Sequence, residues 1–166
     1  MAIEPVKRFF GFCFWVIILL PAFMACKDKP TGTPLSFGII AQGDLDPDGT
    51  SFPGQYSELF AIQSLNDIEQ VGSWLPTDVQ IQLETVDYNS QFAVVVFQGE
   101  QQHTGYSVQV TEVSYLENTV NVFVNLMVPG EGNVVSDTIT SPYQVVWVDM
   151  PENGNPFVAF NLVVNE

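Results

Sequence analysis

The six residues FAVVVF, positions 92–97, are apolar without interruption, and Gly99-Glu100 follows them after a single glutamine. A short apolar run of this kind is typical of a central strand covered on both faces of a sheet. Downstream, residues 119–128 (TVNVFVNLMV) place apolar side chains at every second position, which predicts a half-buried strand. These two stretches favour a domain built mainly of β-strands.

On either side of these two stretches, the sequence predicts further strands separated by turn residues. Glu117-Asn118 predicts a tight connection, and the Pro/Gly-rich residues 129–133 predict a turn. The additional strands are expected at 35–41, 58–63, 106–116, 144–150 and 157–164.

One segment, residues 64–75 (SLNDIEQVGSWL), has the pattern of a helix. Ser64 or Asn66 is the expected N-cap, with acidic residues in the first turn. The side chains expected on one face, toward a sheet, are Leu65, Ile68, Val71, Trp74 and Leu75. The predicted fold is therefore α+β and mostly antiparallel β, a small sandwich or open barrel with one helix, in a single domain over residues 35–166.

The first 25 residues have the features of a secretory signal. Lys7 and Arg8 precede the apolar run 9–20 (FFGFCFWVIILL), and the small residue Ala25 stands before Cys26. The end of this stretch resembles a lipobox, in which the cysteine is acylated and the leader is cut before it. The resemblance implies a signal peptide at 1–25 and lipidation at Cys26, with residues 26–34 as a tether.

An uncut membrane anchor over residues 9–25 is the alternative interpretation of the leader. It has 17 residues, the short end of what crosses about 30 Å of hydrocarbon, and Pro21 interrupts it. The lipoprotein interpretation is favoured. Palmitate-type acyl chains would hold the protein at a membrane, since each buried CH₂ contributes about 0.8 kcal/mol.

The cysteines and the charges after Cys26 add to this interpretation. Cleavage removes Cys13, which leaves no disulfide and no cysteine metal cluster. Lys27-Asp28-Lys29 resembles the charged start of bacterial surface lipoproteins. The expected location is therefore the cell envelope, as an outer-membrane lipoprotein that faces the periplasm or the surface.

Charge is divided sharply along the chain. All four basic residues lie within the first 29 positions, whereas 17 of the 19 acidic residues follow Pro30. A domain without Lys or Arg cannot neutralise phosphates, which excludes nucleic acid as a partner. An acidic surface suits either a salty, calcium-rich exterior or solubility alone, and the sequence leaves both interpretations open.

An aspartate-rich loop is the one candidate metal site. Asp44, Asp46 and Asp48, followed by Gly49, match the opening of an EF-hand calcium loop. The twelfth position is Gln55 in place of the bidentate glutamate, so a looser calcium loop and a simple acidic turn remain alternatives. Calcium is the only cofactor that the sequence suggests.

His103 is the only histidine, so a catalytic triad or a zinc site would have to include it. We expect it to be an ordinary exposed loop residue and the protein not to be an enzyme.

Residues 86–160 resemble the PrcB C-terminal domain. An apolar strand ends in Gly99-Glu100, Gly105-Tyr106 opens a strand, 141–143 (Ser-Pro-Tyr) opens another, and a short strand ends in Phe160. The resemblance implies a lipoprotein that serves as a non-catalytic binding or stability subunit of a surface protease complex.

Two turns carry the candidate binding residues: Gly105, Tyr106, Pro142 and Tyr143. Their aromatic rings could contact a partner, or they could pack at the sheet edge with hydroxyls on backbone groups. The Gly-Tyr loop also resembles, distantly, the Thr-Gly loop of chagasin-type cysteine-protease inhibitors. The alternative functions are therefore a protease inhibitor of chagasin-like all-β type and a calcium-binding envelope protein.

Overall fold

The structure, a computed structural model, describes residues 32–45, 52–151 and 159–165. The predicted leader 1–25 and the predicted lipidation site Cys26 lie outside these residues. No helix among the described residues is long and apolar enough to cross a membrane.

Two four-stranded sheets face each other, and short helices cover the outer side of one of them. The first sheet has the order β1 (Thr33–Pro34), β5 (Ser107–Leu116), β6 (Thr119–Met127), β8 (Ala159–Val164). The second sheet has the order β2 (Phe37–Leu45), β7 (Ser141–Asp149), β4 (Gln91–Phe97), β3 (Glu58–Ile62). All strand pairs are antiparallel except β6 with β8, so the predicted class, α+β and mostly antiparallel β, is confirmed. In the described part of the chain the two sheets form an open sandwich and do not close into a barrel.

Strand β4 divides the core into two apolar layers. Phe92, Val94 and Val96 pack between the two sheets, whereas Val95 and Phe97 pack toward the helices. All five side chains are fully buried. The predicted central strand, covered on both faces, is confirmed.

A buried glutamine connects the two sheets. Gln144 of β7 is inaccessible to solvent, and its carbonyl oxygen accepts a hydrogen bond of 2.6 Å from the backbone N–H of Val110 in β5. Its amide nitrogen donates to the side chain of Gln42 in β2 at 3.1 Å, and Gln42 in turn donates to the carbonyl of Val108 at 3.3 Å. These bonds link β7 and β2 of one sheet to β5 of the other and give the buried Gln144 side chain hydrogen-bond partners.

Strand β6 is covered more fully than predicted. Val120, Val122 and Val124 point into the core between the sheets, as the alternation indicates. Asn121 and Phe123 are also buried, and the side chain of Asn121 accepts a hydrogen bond of 3.1 Å from that of Asn161 in β8.

The predicted helix over residues 64–75 is broken into two short turns. A 3₁₀ helix, Leu65–Ile68, leads into α1, Glu69–Gly72. The carboxylate of Asp67 accepts bonds from the N–H of Gln63 at 2.9 Å and the hydroxyl of Ser64 at 3.0 Å. Of the five residues expected on the buried face, Leu65 is 57% exposed and the other four lie in or against the core.

A second helix, α2 (Thr77–Glu84), was not predicted. Its sequence TDVQIQLE alternates apolar and polar residues and therefore resembles a strand, yet only Val79 and Leu83, four residues apart, are buried. Ile81 is 56% exposed. The amide of Gln80 donates to the carbonyls of Gly72 and Leu75 at 2.7 and 2.8 Å, which joins the helix to α1. The prediction of a single helix is wrong.

The end of the predicted tether belongs to the sheet. Thr33 and Pro34 form β1 and pair with Tyr115 and Ser114 of β5. Proline is tolerated there because β1 is an edge strand. The sheet therefore begins before Leu35, the predicted start of the domain.

Candidate interaction surface

Three segments, 52–57, 98–106 and 128–140, meet at one end of the sandwich, which we call the loop end. Strands β5 and β6 place Ser107 opposite Met127, and β4 and β7 place Phe97 opposite Tyr143, so both sheets terminate at this end. The loop end therefore combines connections from both sheets.

Backbone bonds hold two of these segments together. Gln101 and Thr140 exchange hydrogen bonds of 2.8 and 2.9 Å, as in an antiparallel ladder. Farther out, the N–H of Thr104 donates to the carbonyl of Ser136 at 3.1 Å, and the N–H of Ser136 donates to the hydroxyl of Thr104 at 2.9 Å. The loops thus extend the sheet and have a defined conformation.

Gly99, in segment 98–106, holds that segment against residues 52–57. Its φ is +89°, and a β-carbon there would lie 2.9 Å from backbone atoms of Gln55 and Tyr56. The adjacent Glu100 N–H donates to the carbonyl of Gly54 at 2.9 Å. Only glycine permits both this φ and this close approach.

The surface of the loop end is apolar and acidic. Its large exposed apolar side chains are Val134, which is fully exposed, Tyr56, which is 82% exposed, Val128 and Ile139, and the exposed Met127 at the end of β6 adjoins them. Glu100, Glu131 and Asp137 are exposed beside them. Concentrated exposed apolar surface with a polar rim is typical of a protein-binding site.

His103 lies in a loop of this surface, as predicted, but it is partly buried and not fully exposed. Its Nδ1 is 3.1 Å from Oδ1 of Asp137, and the two side chains are 45% and 94% exposed. The hydroxyl of Thr140 donates to the backbone carbonyl of His103 at 3.3 Å and does not reach the ring. These contacts position the loop against its neighbour.

Gly105 and Tyr106 also lie at the loop end, as the sequence order predicted. Gly105 has a φ of +93°, and a β-carbon there would lie 3.2 Å from the side chain of Pro129. Tyr106 is half-buried and directly precedes β5. Part of its ring is therefore available to a partner.

For Pro142 and Tyr143 the structure shows the packed alternative and not an exposed contact turn. Strand β7 begins at Ser141, so both residues lie inside a paired strand and are buried. The Tyr143 side chain is 5% exposed and its ring centroid is 6.4 Å from that of Phe97. Burial, reinforced by the negative charge of Asp78, raises the pKa of the Tyr143 hydroxyl above its ordinary value. The ring is part of the core and offers no contact surface.

Asp44, the first predicted calcium ligand, lies in a strand. It belongs to β2, opposite Pro142, and desolvation raises the pKa of its carboxyl even though the side chain is exposed overall. Asp46 and Asp48 lie outside the described residues. Within the described ranges, no three His, Cys, Asp or Glu side chains converge as metal ligands.

Comparison with known families supports the predicted resemblance. Residues 92–149 match the family model described as PrcB C-terminal. The PrcB C-terminal match runs from β4 to the end of β7 and therefore includes the central strand, the β5–β6 hairpin and two of the three loop-end segments. The helices and strands β2 and β3 lie outside it. No curated protein and no solved structure shows significant similarity to this chain.

Proposed function

We propose that this chain is an exported lipoprotein that acts as a non-catalytic binding or stability subunit of a protease complex in the cell envelope. The PrcB C-terminal match over residues 92–149 is the observation that supports this function, because the family resemblance implies a protease-complex subunit. The loop end is the proposed partner-binding surface.

The loop end suits a binding role for a physical reason. Its loops are fixed by backbone hydrogen bonds and by Gly99, so little conformational entropy is lost on binding. The exposed side chains of Val134 and Tyr56 would be removed from water by a partner. The exposed carboxylates around them favour a partner surface with positive charge at its rim.

The proposed location rests on the N-terminal pattern. Cys26, after an apolar leader and Ala25, would carry the acyl chains, and the Pro/Gly/Thr-containing residues 27–32 would separate the domain from the bilayer. We propose an outer-membrane lipoprotein that faces the periplasm or the cell surface.

A loss-of-function experiment in the native host separates an assembly subunit from a protease inhibitor. Deleting the gene should lower the amount and activity of one envelope protease, and a copy in trans should restore both. Higher protease activity after deletion, with inhibition by equimolar purified protein, would favour the chagasin-like inhibitor. No change in any envelope protease would contradict both functions.

Calcium binding remains a separate proposal. Millimolar calcium should raise the melting temperature of the full chain more than sodium chloride of equal ionic strength does, because a ligand that binds only the folded state stabilises it. Asp46→Asn combined with Asp48→Asn should abolish the calcium-specific increment. An increment that survives both substitutions would show screening of the acidic surface and would refute the site.

A further inference from the structure

Two adjoining recesses lie in the helix layer. One, of about 400 Å³, is bordered by Ser64–Asn66 and by residues 86–89, and the other, of about 450 Å³, lies between α1 and α2. Leu65 and Glu84 border both recesses, which therefore adjoin at these two side chains, and we call the two recesses together the helix groove. Volumes of this size are in the range that holds several side chains of a bound peptide.

Apolar side chains form part of the lining of the helix groove. Leu65 is 57% exposed within it, and Ile68 and Val86 line its two halves. A single exposed leucine on a convex surface is ordinary. In a concave groove, however, an aliphatic side chain of a ligand can contact the leucine and the walls together, which removes more apolar surface from water.

The walls of the helix groove are fixed before any ligand binds. Gln80 joins α2 to the carbonyls of Gly72 and Leu75, and the hydroxyl of Tyr88 donates to the carbonyl of Leu83 at 2.9 Å. A groove held in place by such bonds needs little ordering when it is filled, which favours affinity.

The rim of the helix groove is negative. Glu69, Glu84 and Asp87 are exposed along it. Hydrogen bonds from the side chains of Asn89 and Ser90, and from the Asn89 N–H, hold the pKa of Asp87 below its ordinary value. No lysine or arginine follows position 29, so no basic residue of the described domain competes for these carboxylates.

Apolar lining beside exposed carboxylates is complementary to a lysine or arginine side chain. The aliphatic stem of such a residue lies on apolar surface while its charged end stays at the rim, among carboxylates. A neighbouring leucine would fill the remaining apolar volume. A neutral or acidic segment lacks the positive charge that the carboxylates attract.

We propose that the helix groove binds a segment of a partner protein that contains lysine or arginine next to leucine. The aliphatic part would lie on Leu65 and the cationic end near Glu84. Strand β3 ends and β4 begins beside this layer, so the helix groove lies at the opposite end of the sandwich from the loop end. It also lies outside the residues 92–149 that match the family model, and it therefore adds a second binding site to the proposed function.

Fluorescence polarisation with labelled peptides tests the proposal on the full chain in detergent. The probe is the peptide GLKLKLKG, and the comparison peptides are GSKSKSKG, which keeps the charge, and GLELELEG, which reverses it. The groove predicts saturable binding of the first, with affinity for each of the other two lower by about tenfold or more. Equal binding of GLKLKLKG and GSKSKSKG would mean general attraction to an acidic protein and would overturn the proposal.

Groove variants locate the site. Leu65→Ser and Glu84→Gln should each weaken binding of GLKLKLKG by about tenfold. Leu65→Ser removes the apolar contact with the peptide's aliphatic groups, and Glu84→Gln removes a negative charge beside its lysines. Val134→Ser and Glu131→Gln, which make the same chemical changes at the loop end, should leave it unchanged. If the loop-end variants weaken binding as much as the groove variants do, the site is elsewhere.

The loop-end variants also distinguish peptide binding by the helix groove from protease binding by the loop end. Loss of protease association in Val134→Ser, with normal peptide binding, would support both surfaces independently. Both groove residues are exposed, so the variants should keep the melting temperature of the unchanged protein within about 2 °C. Intact peptide binding in both groove variants would refute the groove and leave the protease-subunit proposal untouched.

Discussion

Tyr143→Ala is the substitution that most sharply distinguishes core from contact surface in the two predicted binding turns. A tyrosine ring buries roughly 150–200 Å², and the Tyr143 side chain is 5% exposed. At about 25 cal/mol per Å², the loss of the ring corresponds to roughly 4 kcal/mol of unfolding free energy. Measured truncations of buried aromatic residues fall in the same range of about 3–5 kcal/mol.

Thermal and urea unfolding measure this effect directly. For a domain of this size, about 4 kcal/mol corresponds to a fall in melting temperature of roughly 10 °C or more. Tyr143→Phe keeps the ring that packs on Phe97 and should change the unfolding free energy by less than about 1 kcal/mol. Tyr106→Ala, at a half-buried position, should cost less than about 2 kcal/mol and weaken capture of the partner. A Tyr143→Ala protein as stable as Tyr106→Ala would refute the assignment of Tyr143 to the core.

Three further predictions concern the loop end, the helix layer and the anchor. Gly99→Ala should destabilise the protein by more than about 2 kcal/mol in urea unfolding, because the added β-carbon would lie 2.9 Å from backbone atoms. Gly132→Ala is the control: its φ is +84° but no atom lies within 4 Å, so it should cost only about 1 kcal/mol. Equal losses of stability in the two variants would contradict the steric argument. Burial, reinforced by Asp67, raises the pKa of Tyr88 to about 12, so its stabilising contribution is present below pH 10 and lost as the pH rises through 12. Melting curves from pH 9 to 12 should therefore fall less steeply for Tyr88→Phe, and an unchanged slope would refute this linkage. Cys26→Ser should leave the chain uncut and without an acyl mass increment in intact-protein mass spectrometry, whereas cleavage and acylation that persist would exclude the lipoprotein.

The sequence predicted those parts of the fold in which pattern and burial agree. The run at 92–97 is buried on both faces because it lies between a second sheet and a helix layer, and its composition indicated this directly. Glu117 and Asn118 both have positive φ, as a tight hairpin connection requires. The order of turns and strands from Gly99 to Tyr143 also indicated the family to which residues 92–149 are matched.

Helix α2 shows why the remaining fold could not be predicted in the same way. Its alternating apolar residues fit a strand, and the helix is stabilised by contacts from outside its own sequence. Val79 and Leu83 pack on the second sheet, and Gln80 bonds to carbonyls of the preceding turn. Tertiary packing thus overrides a local period-two pattern.

The candidate sites depended on the same kind of long-range information. A Ser-Pro-Tyr sequence is typical of an exposed turn, yet Tyr143 is buried because β7 pairs with both β2 and β4 at that position. Leu65 shows the opposite case: its helical spacing predicted the core, but the 3₁₀ geometry turns it into the helix groove. The spacing of apolar residues in the sequence alone does not predict whether the Tyr143 or Leu65 side chain is buried.

Site-specific photocrosslinking in the native host tests whether the loop end contacts an envelope protease. A photoreactive amino acid at Val134 reports contacts of the loop end, and one at Leu116, which is 38% exposed at the opposite hairpin, serves as the control. Binding through the loop end predicts a crosslink from position 134 to an envelope protease, identified by mass spectrometry, and none from position 116. A protease crosslinked only from position 116, or a partner at position 134 that is no part of a protease complex, would contradict it.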